Sequence, residues 1–168
     1  MSEILNNKLL LFIDGSTNNQ LKVGCGAYLV LKESEAATAS IASGKHPAIK
    51  LKTFNDTSST KLELQTLIWA LGELIKKAKK VVVYTDSQNI IRLPSRRMAL
   101  EKNEYHSGKG KLLNNHALYR EFFKLVDRID CDFVKVEGHQ PSINKQYHDR
   151  LFTLVDRAAR SALRNLSN

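Results

Sequence analysis

Lys61–Gln88, KLELQTLIWALGELIKKAKKVVVYTDSQ, is the stretch that decides the architecture. In its first part Leu64, Leu67, Ile68, Leu71, Leu74 and Ile75 recur at intervals of three and four, the mark of an amphipathic helix over 61–77. Lys76, Lys77, Lys79 and Lys80 then supply positive charge where a helix dipole is negative. The period changes at once: Val81-Val82-Val83-Tyr84-Thr85 is a short apolar run suited to a buried strand, and it stops at Asp86. A helix leading into a buried strand is half of a crossover, so the next question is whether an earlier strand matches.

It does. Residues 8–13, Lys-Leu-Leu-Leu-Phe-Ile, form a second apolar run that stops at Asp14-Gly15, and residues 15–20 are rich in turn formers. A strand follows at about 22–31, with Val23, Cys25, Ala27, Leu29 and Leu31 on one face and Gly24 and Gly26 on the other, where a bulge or a close backbone or ligand approach is expected. Residues 33–46 read as a loop or long hairpin tip, and 48–54 alternate as a third strand. Beyond Asp86 a helix is expected from Ser87 to Pro94 or slightly further, then a basic stretch of weak periodicity over 95–114, a helix over 116–128, a strand over 131–136 and a helix from about 149 to 165. The plan is βββ-α-β-α-α-β-α, a mixed α/β layer fold on a single domain, residues 1–168.

The bulk composition narrows the function classes. A net charge of +9 favours a polyanionic partner such as nucleic acid. The two cysteines, Cys25 and Cys131, are too few and too far apart for a disulfide scaffold or a zinc site. No apolar stretch approaches the ~20 residues needed to span a bilayer. No signal peptide is visible, so a cytoplasmic protein with no membrane partner is the expectation.

Phosphodiester hydrolysis needs carboxylates that converge on divalent cations. Asp14 and Asp86 each follow an apolar strand, and they meet if those strands are parallel neighbours; each could instead cap a turn or a helix. Thr60-Lys61-Leu62-Glu63 matches a capping box, which explains Glu63 locally while also putting a carboxylate in the first helical turn. Asp156 shares a helix face with Phe152, Ala159 and Leu163, a costly place for an unpaired charge. Asp149 lies one heptad earlier and could be an N-cap. His139, after Gly138, could relay a proton or be an ordinary surface histidine.

Five segments carry a family resemblance: Phe12-Ile13-Asp14-Gly15-Ser16, Lys61-Leu62-Glu63-Leu64, Tyr84-Thr85-Asp86-Ser87-Gln88, Val136-Glu137-Gly138-His139 and Val155-Asp156-Arg157-Ala158-Ala159-Arg160. In this order the chain resembles the ribonuclease H family, type 1, over nearly its whole length. The resemblance implies the ribonuclease H-like fold, a mixed five-stranded sheet of three antiparallel strands then two parallel, flanked by helices. It implies an endonuclease cutting the RNA strand of RNA–DNA hybrids, with two Mg2+ ions (Mn2+ as a substitute) held by Asp14, Glu63, Asp86 and Asp156. His139 would assist proton transfer or product release, and Glu63 would also sense the ribose 2′-hydroxyl. Gly15, Ser16, Asn18, Asn19, Ser59, Thr60, Ser87 and Gln88 fall where family members touch the hybrid. A free-standing monomer is the expected state. Another nuclease of the same fold, acting on structured DNA or double-stranded RNA, and a catalytically silent hybrid-binding module are the alternatives.

The chain departs from the family pattern in two places. The usual histidine-to-aspartate spacing lands on Asp149, ten residues after His139, whereas Asp156 is seventeen away. The Arg157-Ala158-Ala159-Arg160 that follows Asp156 favours it nonetheless, with Asp149 as the alternative fourth ligand. Second, many members carry a tryptophan-rich basic protrusion, but the only tryptophan here is Trp69, expected in the core. The corresponding stretch, 92–111, offers Arg92, Arg96 and Arg97 for phosphate contacts.

Overall fold

A computed structural model describes residues 8–36, 48–137 and 147–166. Five strands, β1 (Lys8–Asn18), β2 (Val23–Lys32), β3 (Lys50–Asn55), β4 (Lys80–Thr85) and β5 (Asp130–Lys135), form one sheet in the order β3-β2-β1-β4-β5. The β1–β2 and β2–β3 pairs are antiparallel, and the β1–β4 and β4–β5 pairs are parallel. The helices are α1 (Glu33–Ala36), α2 (Ser59–Leu74), α3 (Gln88–Lys102), α4 (His116–Val126) and α5 (Tyr147–Leu166).

Side chains alternate across a strand, so each central strand feeds two cores. Leu9, Leu11 and Ile13 of β1 and Val81 and Val83 of β4 pack with Leu64, Leu67 and Leu71 of α2 and with the buried residues of α3 and α4. Leu10 and Phe12 of β1 and Val82 of β4 pack against Leu151, Phe152, Val155 and Ala159 of α5. Asp14 continues the row of Leu10 and Phe12 in β1 and therefore faces α5, and Asp86 directly follows the end of β4. Each fully buried Leu or Phe contributes roughly 1.5–3 kcal/mol, so both layers press firmly on the strands that carry these aspartates.

The glycines of β2 explain how α2 sits so close. A Cβ on Gly26 would lie 2.3 Å from Thr66 Oγ1, and one on Gly24 would lie 2.8 Å from Leu62 Cδ2. Gly15 of β1 completes the trough, with a Cβ there 2.7 Å from the same Leu62 atom. The close approach expected at Gly24 and Gly26 is that of a helix.

Several boundaries differ from the sequence expectations. β1 does not stop at Asp14 but runs to Asn18, because Gly15 to Asn18 pair with Val23 to Gly26 of β2; only the next few residues turn. Hydrogen bonds to a neighbouring strand override the turn propensity of this polar segment. Residues 33–36 are helical rather than loop, and the rest of that expected loop, 37–47, lies outside the described residues. Helix α3 continues past Pro94 to Lys102 because Ile90, Leu93 and Leu100 are buried and hold it down. Trp69 is only half-buried, packing edge-on against Tyr28 and donating Nε1–H to Glu73 (3.0 Å). Cys25 is a buried free thiol, and Cys131 is a half-buried one.

Candidate active site

The parallel β1–β4 ladder ends at Phe12 and Tyr84, two residues short of both aspartates. Beyond that point the strands separate. From β1 the chain turns back to one side, and from β4 it leaves through α3 to the other. In open α/β sheets a crevice at the carboxyl ends of strands that diverge in this way is the usual place for a ligand.

Asp14 is half-buried at the mouth of this crevice, and Gly15 N–H donates to its Oδ1 (2.9 Å). Burial first, then the Asp86 charge and a hydrogen bond with Asp156, push the Asp14 carboxyl up to about 8. The partner that Asp14 meets from α5 is therefore Asp156, whose Oδ1 also accepts from Arg160 Nε (2.9 Å). Asp149 lies two turns earlier on the same helix, where its backbone carbonyl accepts from Thr153 Oγ1 (2.9 Å).

Glu63 reaches the crevice from the other side of the sheet. The capping-box reading of this residue fails. Ser58 is the N-cap of α2, accepting from Lys61 N–H, so Glu63 lies beyond the first turn and its carboxylate is not spent on the helix start. Instead, Glu63 Oε2 accepts from Ser87 Oγ (2.6 Å). Burial and the neighbouring Asp86 raise the Glu63 carboxyl above its ordinary range, against the lowering effect of the Ser87 hydrogen bond. Asp86 itself is exposed, and the N-cap of α3 is Ser87 rather than Asp86.

The four carboxylates are thus linked pairwise, Asp14 to Asp86, Asp14 to Asp156 and Glu63 to Asp86. Among the described residues no three His, Cys, Asp or Glu side chains stand together as a formed metal cage. The donor set is nonetheless all carboxylate oxygen, the chemistry that Mg2+ prefers. The raised Asp14 reflects burial first and then the neighbouring carboxylates, whose charge a divalent cation would offset. On these grounds the residues fit such an ion.

The expected substrate residues divide into two groups. Gly15 and Ser87 are turned into the protein, Gly15 against Leu62 and Ser87 buried at 4% exposure with its hydroxyl engaged. Asn18 Oδ1 accepts from the backbone N–H groups of Gln20 and Leu21 (3.1 Å each), which closes the β1–β2 turn. Gln88 Oε1 accepts from Lys135 Nζ (2.8 Å). Ser16 follows Asp14 on the same face of β1 and is half-buried. In contrast, Asn19, Ser59 and Thr60 line an open polar pocket at the N-terminus of α2, one turn before Glu63. Lys22, Asp56, Thr57, Ser58, Lys61, Asn114 and Asn115 also line that pocket and were not anticipated from sequence. Asn115 occupies the N-cap position of α4 without a side-chain capping bond. The consecutive asparagines ahead of a helix were the only sequence signal for it.

A family model for RNase H matches residues 6–163. The chain belongs to the RNase H family. No protein of curated function matches it in sequence. Among solved structures it is similar to LC9-RNase H1, described as a type 1 RNase H with the type 2 active-site motif, at 18% identity and a TM-score of 0.69, covering 93% of this chain and 72% of that one. It is also similar to the PFV RNase H domain, at 14% identity and TM-score 0.67, covering 92% of each chain. A foamy viral protease–reverse transcriptase in complex with dsDNA aligns at 14% identity and TM-score 0.63, over 92% of this chain and 97% of that one. At these identities the likeness is one of fold.

In this RNase H chain the basic stretch after β4 is mostly helical, and its three arginines differ in role. Arg92 and Arg96 are exposed on α3, with the Arg96 guanidinium over the Tyr119 ring (5.8 Å) and its Nη1 donating to Asn89 Oδ1 (3.4 Å). Arg97 is a brace. It makes a two-pronged pair with Asp127 (2.6 and 2.8 Å), bonds Glu101 (2.8 Å) and lies over Phe123 (4.9 Å), tying α3 to the end of α4. His139 lies outside the described residues. No described helix is long and apolar enough to cross a membrane.

Proposed function

We propose that this chain is an endonuclease that hydrolyses the RNA strand of RNA–DNA hybrids with two Mg2+ ions, leaving 5′-phosphate and 3′-hydroxyl ends. The observation that carries the reading is Asp14, poised between Asp86 and Asp156 at the crevice mouth with its carboxyl pushed up to about 8. Family membership and the fold support the same conclusion. Asp14, Glu63, Asp86 and Asp156 would hold the metal, with Mn2+ able to substitute. The bound ions would supply an activated water and offset charge on the phosphate. Asp156, unlike Asp149, is among the groups that push the Asp14 carboxyl up, which supports Asp156 over Asp149 as the fourth carboxylate.

The protein's own part is to bind and orient. Asn19, Ser59, Thr60 and their neighbours present amide, hydroxyl and helix N-terminal groups, which suit a backbone phosphate of the hybrid. Ser16 and Asn18, on the outer part of β1 and its turn, border the same approach. Arg92 and Arg96 add salt-sensitive phosphate attraction. Glu63 would meet the ribose 2′-hydroxyl, the group that separates RNA from DNA, and His139 would assist proton transfer or product release. The chain acts as a single domain and a monomer.

Matched RNA–DNA, RNA–RNA and DNA–DNA duplexes with Mg2+ test this. The hybrid should be cut in its RNA strand and the other duplexes spared. An intact hybrid beside a cleaved duplex of another kind would refute the proposal.

A further inference from the structure

We propose that Ser87 is a positioning residue for Glu63, fixing that carboxylate in the crevice through a hydroxyl whose polarity is set by the cap of α3. The proposal rests on the nuclease reading above for its catalytic consequence, but its geometry is independent of it.

A serine hydroxyl has one proton and two lone pairs. Ser87 Oγ accepts from Ile90 N–H (3.2 Å), which caps α3. A backbone N–H can only donate, so the hydroxyl proton is left for another partner. That partner is Glu63 Oε2 at 2.6 Å, within the short range of hydrogen bonds to an ionised oxygen. The turn that carries Ser87 is held in its own right, because Ser87 N–H donates to Thr85 Oγ1 (3.1 Å) and Thr85 is 2% exposed. The donor aimed at Glu63 is therefore rigid on three counts: burial, helix cap and turn.

Glu63 needs such a donor. Its side chain has three rotatable bonds, and the Asp86 charge opposes its approach to the crevice. Helix α2 offers it no capping duty, since Ser58 already caps that helix. The Ser87 hydroxyl ties α2 to the β4–α3 turn immediately beside Asp86 and engages one carboxylate oxygen, leaving the other for the site. Direct contact between Ser87 and substrate is not the role of a side chain at 4% exposure whose proton and one lone pair are committed.

The experiment compares the wild-type chain with Ser87→Ala, Ser87→Gly and Ser87→Thr. Glycine is included because it is a tolerable N-cap, so the hydroxyl is lost with little harm to α3. Removing a hydrogen bond to a charged group should lower kcat on the hybrid roughly ten- to a hundredfold in the Ala and Gly variants. KM should stay near wild type, and Thr, which keeps the hydroxyl, should restore most of kcat. A rise in KM at constant kcat would mean that Ser87 touches substrate and would overturn the proposal, as would unchanged kcat in the Gly variant. A second readout needs neither metal nor turnover: the 13C resonance of the Glu63 carboxyl in EDTA. It should move in the Ala and Gly variants and return in the Thr variant. If the wild-type chain leaves hybrids uncut, the nuclease reading falls and this resonance alone judges Ser87, with an unmoved signal in the Gly variant counting against it.

Discussion

Asp14→Asn should make the metal-free protein more stable near neutral pH. In the folded state this carboxyl is pushed up from 3.8 to about 8, by burial first and then by the Asp86 charge. With a folded value above the unfolded one, the native state holds the extra proton between those limits. The stability tied to this group is therefore fully present below 3.8 and is lost as pH rises through about 8. Each pH unit costs about 1.4 kcal/mol, which sets a ceiling of roughly 6 kcal/mol across the window. Side-chain movement and water entry at a half-buried site leave about 1–3 kcal/mol as the expected gain, within the range seen when buried charge is replaced by neutral groups. Asparagine suits the site because its amide can still donate to Asp156. Thermal melts in EDTA at about pH 5 and about pH 7.5 measure the effect. The variant should gain about 2–4 °C per kcal/mol at the higher pH, and clearly less at the lower. Mg2+ should raise the wild-type midpoint by binding only the native state, and raise that of the variant much less. If Asp14→Asn is no more stable than wild type at the higher pH, or gains equally at both, the crowded-carboxylate argument is wrong.

Gly26→Ala would put a methyl group 2.3 Å from the buried Thr66 Oγ1, which itself donates to Leu62 O (2.7 Å). Overpacking of this kind costs about 1–3 kcal/mol, and an unchanged urea midpoint would show that α2 has room to retreat. Arg97→Ala should cost at most about 1 kcal/mol, since its ion pairs are part-exposed, and should leave the salt dependence of hybrid binding intact. Arg92→Ala and Arg96→Ala should each lower the salt slope by about 1; a similar drop for Arg97→Ala would return that guanidinium to the nucleic acid. Asp156→Asn should abolish cleavage whereas Asp149→Asn retains it, and an active Asp156→Asn enzyme would reverse the assignment.

Much of the fold is legible in the amino-acid sequence because periodicity reports directly on backbone geometry. The three-and-four spacing over 61–77 and the continuous apolar run 81–85 together describe a helix feeding a buried strand. The matching run before Asp14 makes the two aspartates neighbours through a parallel crossover. Boundaries are less legible where a partner outweighs local preference. Gly15-Ser16-Thr17-Asn18 reads as a turn, yet pairing with β2 draws it into β1. Pro94 reads as a helix end, yet Leu93 and Leu100 hold α3 together on either side of it.

For the site, the sequence by itself determined which residues carry charge at strand ends and which helix carries the last aspartates. It did not determine what each side chain touches. Glu63 satisfies a capping pattern locally, and only the packing of α2 beside the β4–α3 turn shows that Ser58 caps the helix and Ser87 takes the carboxylate. Asp149 and Asp156 share a helix face, and only the crossing of α5 over β1 brings Asp156 to Asp14. Arg97 looks no different from Arg92 in a basic run until Asp127 is seen beside it. A period along the chain encodes which face a residue occupies. The partner on that face comes from an element distant in sequence, and therefore only from the tertiary structure.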